Sequence, residues 1–196
     1  MRRFLASLLA LAFLPVGCLA AGSYFGKNST TAPLDVLKVD YFSNANTAGA
    51  PDGTLRMTNP GTAPSGNICA YVLVFDPNQE LTECCACVIT PDGLLSESVK
   101  TQLTAAPLTG KVPPRGVIKV ISSASPDPTN VIPTAGLRGW ATHVQGPTKN
   151  VYSITETQFA DSNLVPSEKA LLQNLCYYDA LLSGLPCTCT PEDHDF

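Results

Sequence analysis

Beyond residue 34 the apolar and polar positions alternate with a period of two, the pattern of half-buried strands. Residues 36–42 predict a first strand. In residues 54–58, Leu55 and Met57 alternate with Thr54, Arg56 and Thr58, which predicts a second strand ending at the turn signal Asn59-Pro60-Gly61. Ile68–Phe75 is almost wholly apolar, and residues 81–90 return with Cys and Val. Between them, Asp76-Pro77-Asn78-Gln79 places proline at the second turn position, where its fixed φ suits a type I turn. A β-hairpin is therefore expected, closed at its far end by Thr90-Pro91-Asp92-Gly93. With Phe75 opposite Glu80, Cys69 faces Ala86, and a one-residue bulge would bring it opposite Cys85 or Cys87. Further strands are expected over residues 95–103, where the pattern is weakest, and over 117–122, 137–145 and 151–159. Proline is poor in a sheet interior, so Pro113-Pro114 and Pro126-Asp127-Pro128 punctuate them. In the last strand Tyr152 and Ile154 are expected to face inward, with Ser153, Thr155 and Thr157 outward. Trp140, the sole tryptophan, reads as core.

One helix follows. Pro166 fits the first helical position and Glu168 sits near the positive end of the dipole. Leu171, Leu172, Leu175, Tyr178 and Leu182 fall on one side, Gly184 is placed to cap the end and Pro186 prevents continuation. The elements predict a mainly β fold: an antiparallel β-sandwich, Ig-like or similar, stabilised by disulfides, with one C-terminal α-helix. Residues 34–164 would form the sandwich, and residues 165–196 a helix and cysteine-containing tail packed on the same domain.

The N-terminus departs from the strand pattern. Arg2 and Arg3 precede an apolar run over residues 4–14, broken only by Ser7, and Cys18-Leu19-Ala20 follows as a small-x-small cleavage pattern. Residues 1–20 thus read as a secretory signal peptide, too short to span a bilayer, which needs about 20 apolar residues. Val16-Gly17-Cys18 partly matches a bacterial lipoprotein box, which makes Cys18 a candidate for lipidation, although Pro15 stands where that pattern wants Leu. Residues 21–33 are small and polar and read as a flexible leader, in which Tyr24 and Phe25 are suited to donate a strand to a neighbour's sheet edge. No later segment is apolar for long enough to act as a transmembrane helix.

Composition narrows the function classes. The 196 residues (20.6 kDa) suffice for one domain with a core. Hydrophobic residues make up 44% and charged ones 14%, which argues against disorder. A net charge of −4, becoming −6 when Arg2 and Arg3 leave, argues against nucleic acid as a partner. The expected partners are a second copy or a cell-surface or extracellular polymer, and no cofactor is expected.

Eight cysteines are encoded. Without Cys18, seven remain: Cys69, Cys84, Cys85, Cys87, Cys176, Cys187 and Cys189. In an exported chain oxidation is their expected fate, and an odd number leaves at least one thiol over. Cys85 and Cys87 share one strand face while Cys84 points the other way. The helix and tail are expected to be stapled to this corner. Zinc is the chemical alternative for such a cluster, but paired Cys-x2-Cys knuckles are absent.

Catalytic signals are sparse. His143 shares a strand face with Ala141 and reads as a hydrogen-bonded or exposed strand histidine, and His194 lies in the acidic tail. Neither a Gly-x-Ser-x-Gly elbow nor a His-Glu-x-x-His helix occurs. Asp76, Glu80 and Glu83 cluster near the hairpin tip and read as solvated turn residues. The aromatics available for a ligand platform are Tyr24, Phe25, Tyr41, Phe42, Trp140, Tyr152, Tyr177 and Tyr178, although most of them read better as core or half-buried strand residues.

Several segments together carry a resemblance: Asp52-Gly53-Thr54-Leu55-Arg56, Asn59-Pro60-Gly61, residues 69–76, Glu83-Cys84-Cys85-Ala86-Cys87, Gly116-Val117-Ile118-Lys119-Val120, residues 137–143 and Ser153-Ile154-Thr155-Glu156-Thr157. Over residues 34–189 the chain resembles a group of uncharacterised, exported, cysteine-containing proteins of soil bacteria. That resemblance implies secretion and no established activity. The expected function is an exported, non-catalytic surface, adhesive or structural protein, secreted or at the cell surface. Its rivals are an extracellular carbohydrate- or ligand-binding module, and a secreted hydrolase that would need His143 beside an acid and a nucleophile.

Overall fold

A computed structural model of the chain describes residues 35–148, 151–183 and 189. The signal peptide, leader, Cys18, Cys187, Gly184, Pro186 and His194 of the sequence reading lie outside the described residues. The element order is β1 (Leu37–Ser43), β2 (Thr54–Thr58), β3 (Ile68–Phe75), β4 (Leu81–Ile89), β5 (Leu94–Ser98), a π-helical turn (Val99–Leu103), β6 (Arg115–Ser123), β7 (Arg138–Thr148), β8 (Val151–Gln158), β9 (Ala160–Ser162) and α1 (Pro166–Ser183). Two antiparallel sheets face each other, one of five strands in the order β4-β3-β6-β1-β9 and one of four in the order β5-β2-β7-β8. The mainly β fold with one C-terminal helix and disulfides is as the sequence predicts.

A third layer explains why β3 is apolar on both faces. Ala70, Val72 and Val74 join Phe42, Leu55, Met57, Ile118 and Leu137 in the core between the sheets. The alternate residues Cys69, Tyr71 and Leu73 point away from it and pack with Leu172 and Cys176 of α1 in a second core. A strand covered on both sides loses its polar face, as in layered α/β folds.

Four expectations are corrected. The hairpin carries a bulge at Val74/Phe75 that pairs Phe75 with Leu81, so Cys69 faces Val88 instead of Ala86 or another cysteine. The strand expected over residues 95–103 stops at Ser98, whose hydroxyl accepts from the Thr101 amide and starts the π-helical turn, while Asp52 accepts from Lys100 N (2.9 Å). In β8, Thr155 and Thr157 pair with His143 and Ala141 and so share their inward face, whereas Ile154 is 55% exposed. Trp140 lies on the other face of β7 between Arg56 and Gln158 and is half-buried, not core.

Helix α1 buries a narrower stripe than its sequence suggests. Leu172, Cys176 and Asp179 are buried against the five-stranded sheet and Leu175 packs at its margin, but Leu171, Tyr178 and Leu182 stay exposed. Lys119 of β6 bridges to Glu168 of α1 and lies 5.5 Å from the centre of the Phe75 ring, which ties the helix N-terminus down.

Candidate functional site

Three places gather chemistry-bearing side chains. The first is the cysteine corner. Cys84 is bonded to Cys176 of α1 (Cα–Cα 5.2 Å) and Cys87 to Cys189 of the tail (Cα–Cα 5.4 Å). The pleat decides this division of labour: Cys84 faces the helix, and Cys85 and Cys87 face the inter-sheet core, where Cys85 is disulfide-bonded as well. Cys69 is the free, buried cysteine of the described residues, and burial pushes its thiol up to about 11. Cys187 lies outside the described residues.

Two carboxyl groups sit at the same corner. Asp179 is one helical turn beyond Cys176, and its carboxylate accepts the Cys84 amide hydrogen bond at 2.5 Å. Glu83 is only 7% exposed and thus no solvated turn residue, because it pairs with Val74, whose side chain lies in the core between the sheets. Burial, reinforced by the Asp179 charge, pushes Glu83 up to about 7; burial also raises Asp179, partly offset by the Cys84 amide. Glu97 is fully buried near the second disulfide, with its carboxylate and the sulfurs of Cys87 and Cys189 within 4.8 Å of one another. Cysteine ligates zinc as its thiolate, and these two sulfurs are joined to each other, so the oxidised corner offers that metal one carboxylate.

The second place is His143. It is buried (2% exposed) on the inner face of β7, with its Nε2 3.3 Å from Asp40 Oδ1 of β1 and in hydrogen-bond contact with the Thr157 hydroxyl of β8. Thr157 Oγ1 in turn donates to Asp40 Oδ2 (3.3 Å), and the Tyr41 ring lies 4.1 Å from the imidazole, tilted by 31°. Burial raises Asp40, outweighing the Tyr41 amide, the His143 charge and the Thr157 hydroxyl. The histidine is therefore beside both an acid and a hydroxyl, as a hydrolase would need. Their arrangement differs from a nucleophile relay, which sets the acid on one ring nitrogen and the nucleophile on the other. Here both meet Nε2, and Nδ1 is buried without a hydrogen-bond partner among the described residues. A ring carrying a proton on Nε2 satisfies this geometry, and it fastens one sheet to the other. Sequence reasoning missed Asp40 and Thr157. The available signal was the charge at Asp40, on the same strand face as Phe42, a core residue.

The third place is a small groove. Pro128, Thr129, Gln173, Asn174 and Tyr177 line a cavity of about 240 Å³ between α1 and the turn at residues 127–130. Gln173 Nε2 donates to Thr129 O between two of these lining residues (2.7 Å). Tyr177 and Tyr178 form an edge-to-face pair with centroids 5.7 Å apart, 40% and 57% exposed.

No helix among the described residues is long and apolar enough to cross a membrane. No family model and no curated protein matches the chain. Among solved structures it is similar to Thermotoga maritima 1070, at 12% identity and a TM-score of 0.42, over 64% of this chain and 93% of that one.

Proposed function

We propose that this protein is an exported, disulfide-clamped β-sandwich with a non-catalytic surface or structural role. The observation that carries the reading is the pair of cross-links Cys84–Cys176 and Cys87–Cys189, which bind the helix and Cys189 to one edge strand. Such bonds persist in oxidising compartments and are rare in the cytosol. The signal-like N-terminus supports the same location. The seating of His143 as an inter-sheet fastener supports the non-catalytic half.

Alkylation of thiols in intact cells, followed by peptide mass spectrometry, tests the location. Cys84, Cys87, Cys176 and Cys189 should be found as disulfides in material outside the cytoplasm. A cytoplasmic pool with these four thiols free would refute the proposal. A second reading, a carbohydrate-binding module, is favoured by the groove beside the exposed Tyr177–Tyr178 pair, because an aromatic face with amide donors suits sugar rings. A glycan array should then show binding that Tyr177→Ala abolishes, and a blank array would count against this second reading.

A further inference from the structure

A sheet edge presents unpaired amide and carbonyl groups, and folded proteins protect such edges. Three of the four edges here carry a recognisable device. On β4, Asp179 takes the Cys84 amide, Leu108 N donates to Thr82 O (2.9 Å), and two disulfides fasten further chain against the strand. At the opposite edge of that sheet, β9 is three residues long and bears the Lys38–Asp161 ion pair (2.6 Å). In the other sheet β5 is five residues long and passes directly into the π-helical turn.

The fourth edge, β8, has none of these. It runs for eight residues, pairs among the described residues with β7 alone, and is exposed throughout except for a half-buried Tyr152. Among the described residues no hydrogen bond reaches its outer backbone. It contains neither Pro nor Lys. Its one charged residue, Glu156, is already neutralised by Arg56 at 2.8 Å. Val151 is 67% exposed and Ile154 55%.

We infer that β8 is a self-association edge, pairing antiparallel with β8 of a second copy so that the two four-stranded sheets become continuous. The strand is complementary to itself. Opposed residues in an antiparallel pair must lie on the same face, so the two-fold axis passes through a residue. Centred on Ile154, it sets Ile154 against Ile154 of the partner and Tyr152 against the partner's Glu156, a phenol opposite a carboxylate. The two copies of Glu156 then lie about 13 Å apart along the strand at about 3.3 Å per residue, beyond the screening length at physiological salt. Centring on Thr155 would set Ile154 against the partner's Glu156, and centring on Glu156 would oppose the two carboxylates. The contact is isologous and closes as a dimer. It does not depend on where the chain resides, so it can fail without touching the proposed function.

Sedimentation of the purified protein across micromolar concentrations tests the inference. The wild type should dimerise reversibly. Ile154→Lys sets two ammonium groups face to face at an exposed position, so association should weaken at least tenfold with an unchanged circular dichroism spectrum. Ile154→Cys provides a second readout that does not rest on loss of binding. Opposed Cα atoms would lie about 4.5–5.5 Å apart, within disulfide range, so this variant should cross-link into a reductant-sensitive dimer. A wild type that stays monomeric, or a dimer that survives Ile154→Lys while Ile154→Cys remains uncross-linked, would overturn the inference.

Discussion

Glu83 and Asp179 place two carboxyl groups at the cysteine corner, close enough for the Asp179 charge to act on Glu83, and their protonation affects how well that corner holds. Burial raises the folded carboxyl of Glu83 above its unfolded value. Its favourable contribution is therefore complete below about pH 4.5 and is lost as pH rises through about 7. Glu83→Gln keeps the shape and removes the charge. This variant should be more stable than the wild type above pH 7, by on the order of 1–2 kcal/mol, with the gap vanishing in acid. Urea unfolding at the two extremes of pH measures it, and equal midpoints in alkali would show that the pair does not strain the fold. His143 works in the opposite sense. His143→Ala leaves Asp40 and Thr157 facing a cavity and should cost about 2–4 kcal/mol, read from the denaturation midpoint. Both partners of this histidine were hidden from sequence reasoning, because the alternation of β1 gives Lys38 and Asp40 the look of a solvent face. Tertiary packing instead gives that face partners: Asp161 of the neighbouring β9 meets Lys38, and His143 of β7 meets Asp40.

At the scale of elements, strands and helix were legible because each is coded by a local period. Residues 54–58 and Ile68–Phe75 read from alternation and turn residues coincide with β2 and β3. Register and facing were less legible. The bulge at Val74/Phe75 shifts the pairing of the hairpin so that Glu83 faces Val74, and no local signal announces it. The β6 strand shows how tightly the sheets constrain single positions. A Cβ at Gly116 would lie 2.0 Å from Phe75 O and 2.7 Å from the Phe42 ring. Gly116→Ala should therefore destabilise the protein by at least about 3 kcal/mol, seen as a large drop in Tm or as failure to fold. For the helix, Cys176→Ser opens a cross-link that spans 92 residues and should cost about 2–4 kcal/mol. Amide exchange within α1 should accelerate more than in β3. Uniform acceleration would mean that helix and sheet unfold as one unit.

For the whole molecule, the sulfur chemistry divides sharply. The two described cross-links close long loops, whereas Cys69 is buried in the layer beneath the helix and its thiol is held in the unreactive protonated form. Cys69 should accordingly resist maleimide in the folded protein and label only on unfolding, as peptide mapping would show. Prompt labelling under native conditions would mean that α1 opens readily. What the sequence by itself determined was whatever depends on neighbours in the chain: the strands, the hairpin turn, the helix start, and the split of Cys84 from Cys85 and Cys87 by the two-residue pleat. Only the tertiary structure decided which strands share a sheet, that β3 is covered on both faces, and which partners the buried charges find. Lys38 reaches Asp161 across 123 residues and the Cys84 amide reaches Asp179 across 95. Separations of that size leave no periodic trace in the chain, because they follow from how whole layers pack and not from the preference of any one segment.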